Sequence, residues 1–367
     1  MSISKEELIK LIANLIYFKT ITKDQESVKK AFAFIKDYLK KSNLFVKEFQ
    51  KNSFLSLAVS NSYIDFSKKY DIIFHGHIDV VAASEKDQFK PKIKDGKIFG
   101  RGALDMKGGL GVLIYLMKKL PKTDKKIILI ITSDEEIGGE NGTNYFFKDL
   151  GLRGNFFLTA EGERDYLLKV KQKGVVMFKL KAKTKGEHSA YQWLSENAII
   201  KIFNCYQKIK KLFPKKNSKD HWYSTINLGL IKGGTAVNSI PNEAEASFDI
   251  RFCEPWQSSD AIIDKLKKII QKERLNFELI YKTEMMATDI KNFYVNNLNN
   301  IVKKELNIKK DLYFKNHGTN DARFANIVGI PSVGFGPIGD NYHAPSEFVY
   351  IESLVKYFNI LEKFVLL

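Results

Sequence analysis

Cysteine is nearly absent from this chain, with Cys205 and Cys253 the only two in 367 residues. Two isolated thiols exclude a disulfide framework and a zinc knuckle; both are expected to be reduced and at least half-buried. Proline occurs only 8 times, while 44% of residues are hydrophobic, as in a folded globular protein. No apolar run approaches the roughly 20 residues that span a bilayer. The start shows no basic segment followed by a long apolar one; Ser4 and Glu7 instead resemble a capping box opening a helix over Leu8, Ile9, Leu11, Ile12, Leu15 and Ile16. A cytoplasmic protein without membrane association is expected. Acidic residues are also in short supply, 42 against 59 Lys and Arg, for a net charge of +17. The surplus lysines are scattered and not striped with aromatics, so nothing beyond net charge supports nucleic-acid binding. The densest cluster, Lys208, Lys210, Lys211, Lys215 and Lys216, reads as a solvated helix end. The positive field suits an anionic small substrate.

What the chain does have is four short apolar runs, each ending in a candidate metal ligand. Ile72 to Phe74 leads into His75-Gly76-His77-Ile78-Asp79, and Ile127 to Thr132 into Ser133-Asp134-Glu135-Glu136. Phe156 to Ala160 leads into Glu161, and Ser332 to Gly336 reaches His343 after a short loop. Buried parallel strands read as continuous apolar runs, and open α/β sheets place their sites beyond the carboxyl ends of the strands. Such a sheet would gather these side chains along one edge.

The length favours two domains. Residues 1–173 alternate helical and strand patterns, including helices around 24–41 and 108–120, and the same α/β texture resumes over 285–367. Residues 174–284 differ, with strands near 175–184, 225–232, 243–252 and 276–281 and helices near 196–213 and 260–274. This β-α-β-β-α-β order predicts an inserted ferredoxin-like α+β domain. Ligand spacing agrees: His77, Asp105, Glu136 and Glu161 follow one another at separations of 28, 31 and 25 residues, near the length of a βαβ unit, before a gap of 182 to His343.

A hydrolytic metal site needs imidazole and carboxylate ligands and a base for the attacking water. His77, Asp105, Glu136, Glu161 and His343 offer two histidines and three carboxylates, which suits two ions sharing a bridging group. Asp105 lies in the glycine-rich turn Gly100-Arg101-Gly102-Ala103-Leu104-Asp105. Asp79 is expected to accept the second N–H of His77 and fix its tautomer. Of the paired glutamates, Glu136 suits ligation and Glu135 suits general base and acid duty. His75, deeper in its strand, reads as a core or supporting group.

Gly76-His77-Ile78-Asp79-Val80-Val81, Gly102-Ala103-Leu104-Asp105-Met106-Lys107-Gly108-Gly109, Thr132-Ser133-Asp134-Glu135-Glu136 and the late His343 resemble the M20 metallopeptidase and deacylase family. The resemblance implies an α/β catalytic domain with a mixed sheet flanked by helices and two zinc ions; a carboxylate-rich site also accepts cobalt or manganese. It implies a lid domain that mediates homodimerisation, and hydrolysis of an amide bond. Asp105 would bridge the metals, His77 with Glu161 would hold one, and Glu136 with His343 the other. Gly186-Glu187-His188-Ser189-Ala190 resembles the lid motif whose histidine stabilises the oxyanion across the dimer. The stretches around Asn238 and Arg251 resemble lid segments that bind substrate, an alternative for Arg251 being a strand-edge salt bridge. Gly318 and Thr319, in His317-Gly318-Thr319-Asn320-Asp321-Ala322, resemble a desuccinylase stretch that meets substrate. Glu at position 161 leans towards deacylases acting on N-acyl amino acids, of succinyl-diaminopimelate desuccinylase or acetylornithine deacetylase type. A carboxypeptidase or dipeptidase is the alternative. Lys171-Gln172-Lys173-Gly174, where desuccinylases carry an arginine-bearing turn, and Ala344-Pro345-Ser346-Glu347 depart from the desuccinylase pattern.

Overall fold

The structure, a computed structural model, describes residues 3–214 and 219–367, so Met1, Ser2 and the lysines at 215 and 216 lie outside the described residues. It divides into two compact units, one of Met1–Val170, Ala287–Phe314 and Asn320–Leu367, the other of Lys171–Met286 with Lys315–Thr319.

The first unit is built on a mixed sheet. Its order runs Phe45–Lys51, Phe54–Ser60, Ile127–Thr132, Lys69–His77, Arg153–Thr159, Ser332–Gly334 and Leu168–Gln172. Four neighbouring strands in the middle, Ile127–Thr132, Lys69–His77, Arg153–Thr159 and Ser332–Gly334, are parallel. Register aligns their carboxyl ends: His77 lies beside Thr132, His75 beside Thr159, and Gly334 beside Thr159. Ile127–Thr132 is buried at every position, the pattern of a strand covered on both faces. Alternate side chains serve the two covers. Ile72 and Phe74 join the core formed with helices Lys5–Tyr17, Gly108–Lys118, Phe293–Leu306 and Ile351–Val365. His75 points the other way, stacking on Phe157 with ring centroids 5.7 Å apart.

Helix Lys5–Tyr17 begins with Ser4, whose hydroxyl accepts from the N–H of Glu7 at 3.3 Å. Only half of the expected capping box forms, because the carboxylate of Glu7 is drawn to Lys118 at 3.0 Å and the hydroxyl of Tyr38 at 2.9 Å. A small antiparallel sheet that the sequence reading missed joins Gly339–Asp340, Phe348–Tyr350, Lys97–Phe99 and Lys92–Lys94. It ties the segments before Asp105 and around His343 together.

The second unit holds an antiparallel sheet in the order Thr225–Gly233, Glu243–Phe252, Gly174–Lys183, Asn276–Thr283. Helices Ala198–Lys210 and Ser259–Lys272 bury one side each against it, through Ile202, Cys205 and Ile209 and through Ile262, Leu266 and Ile270. This is the 4-1-3-2 strand order of a ferredoxin-like fold. Lys315–Thr319 associates with this unit, since His317 lies against Trp222 with ring centroids 5.8 Å apart and Lys315 pairs with Asp220 at 2.8 Å. Both cysteines are buried and neither forms a disulfide. No helix among the described residues is long and apolar enough to cross a membrane.

Helix Gly108–Lys118 starts with its backbone hard against the strand that leads to Glu161: a methyl group on Gly109 would stand 2.1 Å from the carbonyl oxygen of Ala160. Gly109→Ala is therefore expected to cost roughly 1–3 kcal/mol through forced backbone displacement, read as a lowered urea midpoint. An unchanged midpoint would mean the contact is less tight than described.

Candidate metal centre

Three of the four parallel strands deliver a polar side chain to the same end. His77 is the last residue of its strand, Glu135 and Glu136 open the turn after Thr132, and Glu161 follows Thr159 and Ala160. Asp105 arrives from the turn Ala103–Lys107, where the backbone leaves helical geometry at Asp105 and Met106 and the peptide between them is cis. His343 comes from the loop between the strands Gly339–Asp340 and Phe348–Tyr350, with a left-handed φ of 63°.

The carboxylate of Asp105 sits between the two histidines. Its Oδ1 lies 3.1 Å from Nε2 of His77, and its Oδ2 lies 3.1 Å from Nε2 of His343. Glu136 Oε2 is 3.5 Å from the same His343 nitrogen. Ligand atoms of His77, Asp105 and Glu136 all fall within 4.8 Å of one another. Glu135 stands alongside, its Oε2 3.9 Å from Nε2 of His77.

Supporting groups fix these side chains. Nδ1 of His77 meets the backbone carbonyl of Asp79 at 3.0 Å and that residue's carboxylate at 3.4 Å, so Asp79 orients the ring mainly through its main chain. The strand has ended at His77, and the Asp79 carboxylate turns to accept the N–H groups of Glu135 and Glu136, at 3.3 and 3.2 Å, and the hydroxyl of Thr22 at 2.9 Å. It thus holds the glutamate pair as well as the histidine. Asn320 donates to Glu161 Oε2 at 2.8 Å, and the buried ammonium of Lys169 lies 3.9 Å from the same oxygen. Below them, His75 reaches Thr159, Thr132 and Thr143 at 2.9 to 3.0 Å, and Thr143 donates to the buried Asp321 at 2.5 Å. His75 is thus a satisfied core group. Lys169 was not singled out from the sequence, and Asn320 and Asp321, which stand in the quoted Gly-Thr-Asn-Asp stretch, were given no role of their own.

The electrostatics follow from crowding carboxylates in a buried space. Burial pushes Glu161 up to about 7, with Lys169 partly offsetting it. Burial likewise holds Glu135 well above the usual carboxylate range. Burial alone would raise Asp105 too, but the hydrogen bonds from His343 and His77 outweigh it and hold it far below. Burial disfavours the charged form of His77, yet Asp105 and Asp79 keep it well above its ordinary value. Hydrogen bonds to Asp105 and Glu136 raise His343 to about 10. Glu161 Oε1 is buried without a hydrogen-bond partner among the described residues. An orphaned carboxylate oxygen, convergent acidic oxygens and two imidazole nitrogens form a donor set that fits divalent cations.

The remaining residues of interest lie in the second unit. His188 Nδ1 accepts from the N–H of Ala190 at 3.2 Å, and Asn238 accepts through its carbonyl from Ser189 at 2.9 Å. Arg251 directs Nε and Nη2 onto the carboxylate of Asp249, at 2.8 and 2.9 Å. The fork that the resemblance turned towards substrate is here an ion pair along one strand. Gly318 and Thr319 fall in the short segment that packs with this unit.

Residues 73–367 match the model of peptidase family M20/M25/M40, and the chain belongs to that family. It is an amide-bond hydrolase of a metal-dependent kind. A succinyl-diaminopimelate desuccinylase from Nautilia profundicola is 29% identical over 375 residues, 98% of each chain. Among solved structures, a tripeptidase from Staphylococcus aureus superposes with a TM-score of 0.80 at 19% identity, covering 99% of this chain and 98% of that one. An M20 metallo-carboxypeptidase from Sulfolobus solfataricus gives 0.79 at 18% identity, covering 98% of each. These two likenesses establish the fold.

His343, raised to about 10, carries its second proton in the metal-free state at pH 7, and a cation must displace it to ligate. Metal uptake is expected to release protons, and apparent affinity to rise with pH by about tenfold per unit for each proton displaced. Calorimetric titration in buffers of different ionisation enthalpy measures this directly; uptake without proton release at pH 7 would contradict it.

Proposed function

We propose that the chain is a dinuclear zinc-dependent hydrolase that removes a short acyl group from an N-acyl amino acid, of the succinyl-diaminopimelate desuccinylase or acetylornithine deacetylase type. The observation that carries the reading is Asp105, with one carboxylate oxygen turned to each histidine. In this reading His77 and Glu161 hold one ion, Glu136 and His343 the other, and Asp105 both; cobalt or manganese would be accepted in place of zinc. Bound divalent ions supply Lewis acidity and lower the pKa of water. Glu135 takes the proton of the attacking water and returns it to the departing amine, a task suited to a buried carboxylate of raised proton affinity. Asp79 keeps Glu135 in place through its backbone N–H.

The division of labour follows the two units, the first catalytic and the second a lid and dimerisation domain. His188 is assigned to oxyanion stabilisation, and Asn238, Arg251, Gly318 and Thr319 to substrate. A cytoplasmic homodimer acting on a small substrate, without nucleic acid or membrane, completes the reading. The desuccinylase names of the curated relatives and the glutamate at position 161 support the acyl amino acid. One observation favours a carboxypeptidase or dipeptidase instead: the cations that stand where desuccinylases carry arginine are engaged by the protein. Lys171 pairs with Glu254 at 2.7 Å, and Lys173 donates to the carbonyl of Tyr223 at 2.6 Å.

Hydrolysis of succinyl-diaminopimelate, acetylornithine, other N-acyl amino acids and dipeptides, each with and without chelator, separates the two readings. Chelator-sensitive release from one acylated amino acid is expected; cleavage confined to dipeptides would favour the alternative. Glu135→Gln should keep its metal content and lose about 10²- to 10⁴-fold in kcat; near-normal turnover would remove Glu135 from its role. His188→Ala should slow the reaction with metal content intact, and loss of metal in that variant would overturn its assignment.

A further inference from the structure

Glu347 belongs to the Ala344-Pro345-Ser346-Glu347 stretch where the sequence departs from the desuccinylase pattern. Its carboxylate is buried and lies against the backbone of the turn that carries Asp105. That turn has a left-handed Gly102, φ 82°, and non-helical backbone at Asp105, which leaves several N–H groups without helical partners. Glu347 collects them. Oε2 accepts from Gly102 at 3.0 Å, and Oε1 accepts from Leu104 at 3.0 Å and from Asp105 itself at 3.1 Å. The buried guanidinium of Arg101 supplies the counter-charge, donating from Nη1 to Glu347 Oε2 at 2.9 Å. Its other arm, Nη2, donates to the backbone carbonyl of His343 at 2.8 Å.

The main chains of two candidate ligands separated by 238 residues in sequence are thus joined through one carboxylate and one guanidinium. His343 depends on that join. Its side chain is 46% exposed, so neighbours pack it little, and its imidazole direction is inherited from a backbone held at φ 63°.

We propose that Glu347 and Arg101 form the positioning pair that fixes the spacing of Asp105 and His343, and thereby controls uptake of the ion those two residues share. The proposal rests on the dinuclear reading above. A carboxylate at 347 is required because only an acceptor with two oxygens meets three N–H groups and one arm of the arginine at once. Glutamine would present its NH2 to backbone donors, and aspartate would fall a methylene short.

The test is a Co²⁺ titration of the metal-free, full-length protein, followed by visible absorption and by metal analysis, on wild type and on E347Q, E347D and R101K. Wild type is expected to take up two equivalents. E347Q and R101K should bind the second about 10- to 100-fold more weakly and lose less on the first, which has Asp105 but not His343 among its ligands, with an altered absorption band for the second equivalent, and E347D should recover part of the loss. A role confined to general stability would lower the thermal midpoint without separating the two equivalents. Two equivalents bound with wild-type affinity by folded E347Q and R101K would overturn the proposal, as would equal weakening of both. If E347Q fails to fold, R101K, which keeps the positive charge and loses the fork, decides by the same criterion. A single equivalent in wild type would instead overturn the dinuclear reading, and with it the second-ion role given to the pair.

Discussion

Carboxylates brought together out of water repel one another, and the rest of the first unit is arranged around that fact. Asp105, Glu135, Glu136 and Glu161 converge on one end of a parallel sheet, where two imidazoles and the ammonium of Lys169 lie beside them. An assembly of this kind is stable only if each acid is held by groups that do not compete for the space between them. Asn320 takes one oxygen of Glu161 from outside, Asp79 takes the backbone of the glutamate pair, and Glu347 takes the backbone of Asp105. One of these supports is an amide donor and two are carboxylates accepting from backbone N–H groups, and they leave the space between the acids to cations.

Much of this was legible in the sequence because it depends on short-range pattern. A fully apolar run such as Ile127 to Thr132 fits a strand covered on both faces, and the residues just after it must then emerge at the sheet's edge. The same reasoning located His77, Glu136 and Glu161. The alternating strands of the inserted region, with an amphipathic helix after the first and third, were enough for its fold. Asp105 was readable as part of a glycine-rich turn, though not the shape of that turn.

The illegible parts are those made by long-range main-chain contacts. Three-residue strands such as Lys92–Lys94 and Phe348–Tyr350 carry too little periodicity to announce themselves, and only pairing with one another stabilises them. The hydrogen bonds of Glu347 go mostly to backbone N–H groups, which have no sequence signature. The turn of Asp79 towards Glu135 follows from the strand ending at His77, a boundary that differs by a residue or two in any reading of pattern alone. Arg251 shows the complementary difficulty: position and residue type were clear, but its partner Asp249 was decided by side-chain geometry along one strand.

The strand Ser332–Gly334 lies between Arg153–Thr159 and Leu168–Gln172, two strands that precede it by more than 150 residues. A chain growing from its amino end on the ribosome makes both neighbours long before the piece that belongs between them. Until that piece arrives, the edge of Arg153–Thr159 presents unpaired peptide groups, the kind of surface on which other chains add. Biosynthesis therefore passes through a long interval with a slot in the middle of the sheet, and the closing of that slot joins two contacts of very high sequence separation, a slow class of folding event. Such a chain needs that edge shielded from the time Arg153–Thr159 is made until Ser332–Gly334 arrives.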